Sequence, residues 1–495
     1  MSGSLPRREN GGNLELVHGR SLHERVKCIK IQWVIFVTRL FGTDGVRGVA
    51  NQGLTPELAY ALGRYGASIL LGESQAARPR VLVGRDTRIS GRMLEAALTA
   101  GITSVGADVL QVGVLPTPGV AYLTRAWHGD AGVMISASHN PAADNGIKFF
   151  SRDGFKLEDG VEDEIEALML KAAHSARAPF QTFDDGAPRP IGKDVGRIEV
   201  RNDAVDAYVD FLKGTIAADF TGLKVVVDCG NGAAYQVTPT ILKELGATVI
   251  SLYDEPDGLN INVNCGSTHP QALVEEVVKH GAHVGLAHDG DADRLIAVDE
   301  QGNLLDGDHI LVICGLHLLR QGRLSHKRLA LTVYSNLGVR AAFRAAGGDV
   351  VTTPNGDRYV LEAMRDRGLN LGGEQSGHII FLDHNTTGDG VLTALQLLAV
   401  MQAESRPLSV LANQLEKYPQ NLSSVHVLNK HGWEDNQHIQ GAIAAATKLL
   451  GDSGRILVRA SGTEPLIRVM AEGPDSCIVD KAVKGVVEAI KAELG

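Results

Sequence analysis

One order of elements recurs three times along this chain: an apolar run, a polar turn, a helical pattern, a glycine, and a second apolar run. The first copy has Arg80-Val-Leu-Val-Gly84, helical spacing over 92–103, and Gly106-Ala-Asp-Val-Leu110. The second has Lys224-Val-Val-Val-Asp228, a turn at Cys229-Gly-Asn-Gly232, a helix ending near Leu245, and Gly246-Ala-Thr-Val-Ile250. The third has Leu329-Ala-Leu-Thr-Val333, a turn at Ser335-Asn336, a helix ending near Ala346, and Gly347-Gly-Asp-Val-Val351. Each copy reads as a parallel β–α–β unit with a right-handed crossover. The pattern breaks after Leu411, with strands near 423–428, 454–459 and 466–471 and helices near 439–450 and 475–494. At 495 residues the chain is too long for one core. We therefore expect an α/β protein: three related mixed or parallel-sheet α/β domains plus a smaller C-terminal α+β domain around a central cleft. The expected spans are a disordered leader over 1–36, then domains over 37–199, 200–303, 304–412 and 413–495. Stretches 187–200 and 300–308 read as linkers. An ordered edge strand over 30–37 is the alternative for the leader, and Val37 is a candidate first codon.

The chemistry-bearing stretches fall in turns of this framework. Gly132-Val-Met-Ile-Ser-Ala-Ser138-His-Asn-Pro141 starts as an apolar strand and ends in a turn closed by Asn140-Pro141. The Ser138 hydroxyl is thereby carried off a strand end on a stiff loop, with a helix cap as the plain alternative. Leu286-Ala-His-Asp289-Gly-Asp291-Ala-Asp293-Arg294 puts three carboxylates at alternating positions of a tight turn. They repel one another unless a cation lies among them, and hard oxygen ligands suit Mg2+ or Ca2+. An EF-hand is excluded, because with Glu300 as its twelfth residue its sixth is Arg294 rather than glycine. A solvated acidic turn is the other reading.

Leu371-Gly-Gly-Glu374-Gln375-Ser376-Gly377-His378 is a polar loop between apolar runs, in which Glu374 and Ser376 can hydrogen-bond vicinal hydroxyls. A plain turn is its alternative, and His378 reads equally as a core histidine. Arg459-Ala-Ser461-Gly462-Thr463-Glu-Pro465, followed by Arg468, offers an anion two guanidiniums, two hydroxyls and a glycine turn. It lacks the lysine and spacing of a Walker loop, and a structural loop with surface arginines is the rival reading. Arg47, Arg85, Arg88 and Lys148 add positive charge near the serine. Lys148 could also move protons if neighbouring cations depress its pKa.

Composition narrows the partners. A net charge of −10 argues against general nucleic-acid binding, and no run approaches the ~20 apolar residues of a membrane span. Five scattered cysteines without a CxxC pair fit a reducing cytoplasm.

From Arg39 onward the chain resembles the α-D-phosphohexomutase superfamily. Phe41-Gly-Thr-Asp-Gly-Val-Arg-Gly48, Gly356-Asp-Arg-Tyr359 and Gly373-Glu-Gln-Ser-Gly-His378 are similar to its bacterial phosphoglucosamine mutase branch. Relatives acting on mannose or glucose phosphates more often carry a methionine-type residue where Gln375 stands. The resemblance implies a serine phosphorylated in the active form, one Mg2+ per subunit, a homodimer and a small sugar phosphate as substrate. Carried over residue by residue, Ser138 is the phosphoserine and, with Asp289, Asp291 and Asp293, a metal ligand. Glu374 and Ser376 read the sugar, while Arg459, Ser461, Gly462, Thr463 and Arg468 hold the phosphate. Arg47, Lys148, Arg294 and His378 complete the expected catalytic set. The implied reaction interconverts glucosamine 6-phosphate and glucosamine 1-phosphate through a 1,6-bisphosphate, feeding amino-sugar nucleotide and cell-wall precursor synthesis. A phosphomannomutase or phosphoglucomutase, a phosphomonoesterase, and a non-catalytic sugar-phosphate sensor are the alternatives. Two features depart from the family pattern: the leader before Val37, and Pro354-Asn355 ahead of Gly356.

Overall fold

Each repeat becomes the centre of its own sheet. A computed structural model describes residues 39–42, 44–72, 74, 76, 78–175, 186–461 and 465–495. The expected leader over 1–36, its alternative strand over 30–37, Gly462 and Thr463 lie outside them. Residues 41–495 group as one unit built on four sheets.

The first sheet contains β1 (Val46–Val49), β2 (Arg80–Arg85), β3 (Asp108–Val114), β4 (Ala131–Ile135), β5 (Asp144–Ser151) and β6 (Ile198–Val200), in the order β1-β5-β4-β2-β3-β6. The second contains β7 (Lys224–Asp228), β8 (Thr248–Leu252), β9 (Val284–His288), β10 (Leu295–Asp299) and β11 (Leu304–Leu305), in the order β11-β10-β9-β7-β8. The third contains β12 (Arg328–Thr332), β13 (Asp349–Thr353), β14 (Leu371–Gly373) and β15 (Ile379–Phe381), in the order β13-β12-β14-β15.

One plan underlies all three. The first strand of each repeat pairs in parallel with the second on one side and with a third on the other. A fourth strand then returns antiparallel to the third. The valine-rich and leucine-rich runs form these central strands because both faces are covered; β4, β9 and β10 are buried at every residue.

Both stretches expected as linkers carry strands instead. β6 extends the first sheet through the expected boundary at 199–200, and β11 extends the second through that at 303–304. Their sequences concealed this because edge strands of two or three residues show no alternation; every residue of β6 is exposed.

The last sheet is wholly antiparallel, with β16 (Gln420–His426), β17 (Arg455–Ala460) and β18 (Leu466–Glu472) in the order β16-β18-β17. Helices Gln437–Leu450 and Ser476–Leu494 pack on it as the expected α+β unit. Its core, including Val425, Ile467, Val469, Val486 and Ile490, is separate from the main one. The three larger sheets instead share one continuous core, in which Leu82 and Met134, Val225 and Leu286, and Leu329 and Leu371 come from successive sheets. Helix Gly390–Glu404 runs through that core nearly all-round apolar. Its N-cap, Asp389, accepts a 2.7 Å hydrogen bond from the Tyr208 hydroxyl.

Candidate active site

The serine loop, the acidic loop and the loop carrying Glu374, Ser376 and His378 occupy one and the same topological position. Each joins the third, parallel strand of its sheet to the fourth, antiparallel one: β4 to β5, β9 to β10, and β14 to β15. Each also turns on a left-handed residue, at Ser138 (φ 54°), Ala292 (φ 56°) and Gly377 (φ 93°). At Gly377 a side chain is further excluded, because a Cβ would meet the Leu295 carbonyl oxygen at 2.2 Å.

Ser138 is a non-glycine residue in a strained region, so its surroundings must hold it there. Its N–H donates to Ser136 Oγ at 3.0 Å, and Ser136 Oγ donates to Asp86 Oδ2 at 2.6 Å. The buried Arg88 guanidinium pairs with Asp86 and donates to the carbonyls of Ser138 (3.0 Å) and Asn140 (2.6 Å). Asn262, from the second sheet's loops, donates to the same two carbonyls at 2.9 and 3.1 Å. Arg88 is therefore committed to shaping the loop, and Arg85 pairs with Glu95; neither offers the serine a free charge.

The Ser138 hydroxyl donates to Asp289 Oδ2 at 2.6 Å. Ligand atoms of Asp289, Asp291 and Asp293 lie within 4.8 Å of one another, all three residues being buried. Burial and then the Asp293 and Asp291 charges push Asp289 well above the ordinary carboxylate range. Asp291 Oδ1 and Asp293 Oδ1 are buried without a hydrogen-bond partner. Crowded carboxylates with orphaned oxygens are what a bound cation would satisfy, and the three residues fit a divalent metal site.

Lys148 sits 2.8 Å from Asp291 Oδ2 and 2.8 Å from Asp44 Oδ2. The condition under which Lys148 would move protons, a pKa depressed by neighbouring cations, is not met. Burial does oppose its charge, but Asp291 and Asp44 outweigh it and raise the pKa. Arg47 pairs with Asp44 in the same cluster. From Asp44 the ion pairs continue to Lys156 (2.6 Å) and Asp357 (2.5 Å); beyond them His378 Nε2 lies 3.6 Å from Asp357 Oδ2 and His378 Nδ1 lies 3.5 Å from Asp293 Oδ2. Polar and charged groups thus form a path through all three larger sheets. The Gly388 N–H donates to His378 Nε2 at 3.0 Å, which places the ring proton on Nδ1, toward Asp293. His139, beside the serine, is held neutral by burial and by the Arg294 and Arg47 charges, its pKa lowered to about 4.

A cleft of about 420 Å³ gathers Arg294 from the acidic loop, Glu374, Gln375 and Ser376 from the sugar loop, and Arg468 from the last sheet. Burial raises the pKa of Glu374, whose Oε1 accepts from the Gly356 N–H at 3.2 Å. Arg459 stands opposite Arg468 in the β17–β18 register and stacks 5.2 Å from the ring of Tyr334, which also lines the cleft. The register brings two guanidiniums together at one place on the sheet, an arrangement that suits an anion. Ser461 begins the connecting loop, its carbonyl accepting from Lys430 Nζ at 2.8 Å.

Four family models match the chain in sequence order. Phosphoglucomutase/phosphomannomutase α/β/α domains I, II and III match residues 38–176, 206–302 and 306–418, and the C-terminal domain matches 422–489. The chain belongs to the phosphoglucomutase/phosphomannomutase family. It is accordingly an enzyme, an isomerase of the phosphohexomutase kind. The phosphoglucosamine mutase of Heliobacterium modesticaldum is 58% identical over 91% of this chain and 98% of its own length. That of Desulforamulus reducens is 55% identical over 92% and 99%. Among solved structures, a phosphoglucomutase/phosphomannomutase family protein from Burkholderia thailandensis shares the fold, with a TM-score of 0.77 over 92% of this chain and 98% of its own at 24% identity. Among the described residues no helix is long and apolar enough to cross a membrane.

The residues that sequence reading missed in this phosphohexomutase site are Asp44, Thr117, Lys156, Asn262 and Asp357. Thr117 donates to Asp291 Oδ2 at 2.6 Å. Signals existed for three of them: Asp44 and Asp357 lie inside the motifs Phe41–Gly48 and Gly356–Tyr359, and Asn262 in the turn-rich run Asn260-Ile-Asn-Val-Asn-Cys-Gly266.

Proposed function

We propose that the enzyme interconverts glucosamine 6-phosphate and glucosamine 1-phosphate, with Ser138 carrying the phosphoryl group between half-reactions. The observation that carries this is the 2.6 Å contact of a strained, buried serine hydroxyl with one of three clustered aspartates. The glucosamine assignment is supported by relatives more than half identical over nearly their whole length.

Phosphoserine 138 donates to the free hydroxyl of the sugar, giving a 1,6-bisphosphate; the intermediate reverses, and its other phosphoryl group returns to Ser138. Mg2+ on Asp289, Asp291 and Asp293, with Ser138, would neutralise charge on the transferring group. Lys148, held protonated, and Arg47 and Arg294 add fixed positive charge around the transfer. Glu374 and Ser376 accept and donate to sugar hydroxyls, and His378 orients the acidic loop through Asp293. Arg459 and Arg468, with Ser461, Gly462 and Thr463, hold whichever phosphate is not reacting. A phosphomonoesterase has little use for that second grip, and a sensor needs no nucleophile.

The functional spans we propose follow the sheets: 37–200, 201–305, 306–412 and 413–495. A cytoplasmic homodimer is the assembly and setting that the family resemblance supports. Intact-mass measurement of the purified protein, before and after incubation with glucosamine 1,6-bisphosphate, tests the scheme. One added phosphate mapped to Ser138, with turnover of both glucosamine monophosphates, is expected; turnover by a protein never phosphorylated there would refute it.

A further inference from the structure

The serine, acidic and sugar loops stand on three separate sheets, so their mutual spacing must be fixed near the site itself as well as through the distant core. Lys156 and Asp357 are placed to do this. Lys156 follows β5 and bridges to Phe150 on that strand; Asp357 lies 201 residues later, at the start of helix Asp357–Arg367. The Lys156 ammonium lies 2.6 Å from Asp44 Oδ1 and 2.5 Å from Asp357 Oδ2. Asp44 lies in the turn that leads into β1, the strand that carries Arg47, and also contacts Lys148. Asp357 follows Gly356, whose N–H holds Glu374, and its carboxylate lies 3.6 Å from His378. One ammonium thus touches the turn that leads into β1 of the first sheet and, on the third, the turn that locates both ends of the sugar loop.

We propose that Lys156 and Asp357 are positioning residues, whose ion pair keeps the sugar-reading loop in register with the serine and acidic loops. The proposal rests on the phosphohexomutase reading of the site and not on which hexose is used. Neither residue lines the cleft formed by Arg294, Glu374, Ser376 and Arg468. They line a different one, of about 300 Å³, beside Phe155 and Arg358. The pair is therefore placed to act on the first cleft by shifting the groups that line it. The same cleft leaves room for a guanidinium in place of the Lys156 ammonium, and an arginine can still serve both carboxylates.

The test compares Lys156→Met, Lys156→Arg and Asp357→Asn in the full chain, on whichever hexose phosphate the wild-type enzyme turns over fastest. Lys156→Met and Asp357→Asn should lower kcat by roughly 10- to 100-fold, because small displacements of reacting groups have that effect. KM should stay within about twofold, since the phosphate grip is untouched. Lys156→Arg should recover kcat to within about threefold of wild type, which rescue of charge and reach implies. A strut that only stabilises the fold predicts a lower melting temperature with wild-type kcat per folded molecule, and that result overturns the proposal. Equal defects in Lys156→Arg and Lys156→Met overturn it as well. Should Lys156→Met fail to fold, Asp357→Asn, which leaves Lys156 paired with Asp44, decides in the same terms. A wild-type enzyme inactive on every hexose phosphate would remove the underlying reading instead, an outcome distinct from unchanged kcat in an active enzyme.

Discussion

Ser138, Asp291 and Lys148 are each no more than 2% exposed, whereas Arg459 and Arg468 stand half-buried on a sheet with its own small core. The groups around the transferring phosphoryl are locked into the shared core of three sheets. The C-terminal unit instead meets that body through a strip of polar contacts. Buried Glu472 accepts from the Leu337 N–H, from Gln420 Nε2 and from Arg455, and Arg455 also donates to the Ser335 carbonyl at 2.7 Å. Asn336 exchanges two 2.9 Å hydrogen bonds with the Tyr418 backbone. Apolar packing has to be broken before it can shift, while polar contacts can be exchanged for water or for one another at small net cost. Fixed chemistry beside an adjustable grip suits an intermediate that must present each of its ends in turn.

The largest test of this contrast is Ser138→Ala. Turnover should fall by at least about 10³-fold, since no other group holds the phosphoryl between half-reactions. The melting temperature should stay level or rise slightly, because the left-handed site loses only a hydroxyl. Retention of even a few per cent of turnover would show that the locked end is not where the phosphoryl rests.

Glu374→Gln comes next, on the side of the cleft that belongs to the body. A charged hydrogen bond contributes about 1.5–3 kcal/mol, so kcat/KM should drop by roughly one to two orders of magnitude. Glu374 is neither in a core cluster nor in an ion pair, so thermal stability should hold. Sharp melting loss with intact kinetics would assign it to structure.

Arg459→Ala probes the adjustable end. We expect KM for both sugar monophosphates to rise about tenfold, the loss of one charge-assisted contact. Bisphosphate should also escape between half-reactions, so activity decays as Ser138 loses its phosphate and returns in part when glucosamine 1,6-bisphosphate is added. Arg459 is half-buried on the sheet face and outside the core clusters, so the variant's melting temperature should stay close to wild type. Identical kinetics with and without bisphosphate would place retention of the intermediate elsewhere.

The same contrast governs what could be read from sequence. Strand β7 was legible to the residue as Lys224-Val-Val-Val-Asp228, because a fully covered strand writes itself as an unbroken apolar run. The three site loops were legible through local chemistry, each a short polar turn closing such a run. What could not be read is whatever depends on distance along the chain. Lys156 and Asp357 meet across 201 residues and Asn262 reaches Ser138 across 124, and no spacing rule links them. Nor did the sequence reveal that carboxylates would outweigh the cations around Lys148. Strands β6 and β11 were hidden for the opposite reason, being too short to carry a pattern.

The smallest expected effect lies in the strip between the two regions. Asp308 is buried in the first turn of helix Gly307–Arg320, under Asn336, whose N–H donates to its Oδ2 at 2.7 Å. Burial, then the neighbouring Asp306 charge, push its pKa up from 3.8 to about 7. The helix N-terminus favours the charged form and works the other way, without cancelling burial. In the unfolded chain the carboxyl releases its proton near pH 4, whereas in the folded chain it keeps it until about pH 7. Folding therefore binds a proton between those values, and this residue's contribution to stability falls as pH rises through that window. Asp308→Asn keeps an acceptor for Asn336 and removes the proton, so its melting temperature should match wild type near pH 4 and exceed it by about 2–4 °C at pH 8. Activity should change little, because the contacts to Tyr418 and Glu472 are untouched. A wild-type protein more stable than the variant at pH 8 would mean that the helix terminus outweighs burial, and that the strip is held by a charge rather than relaxed by one.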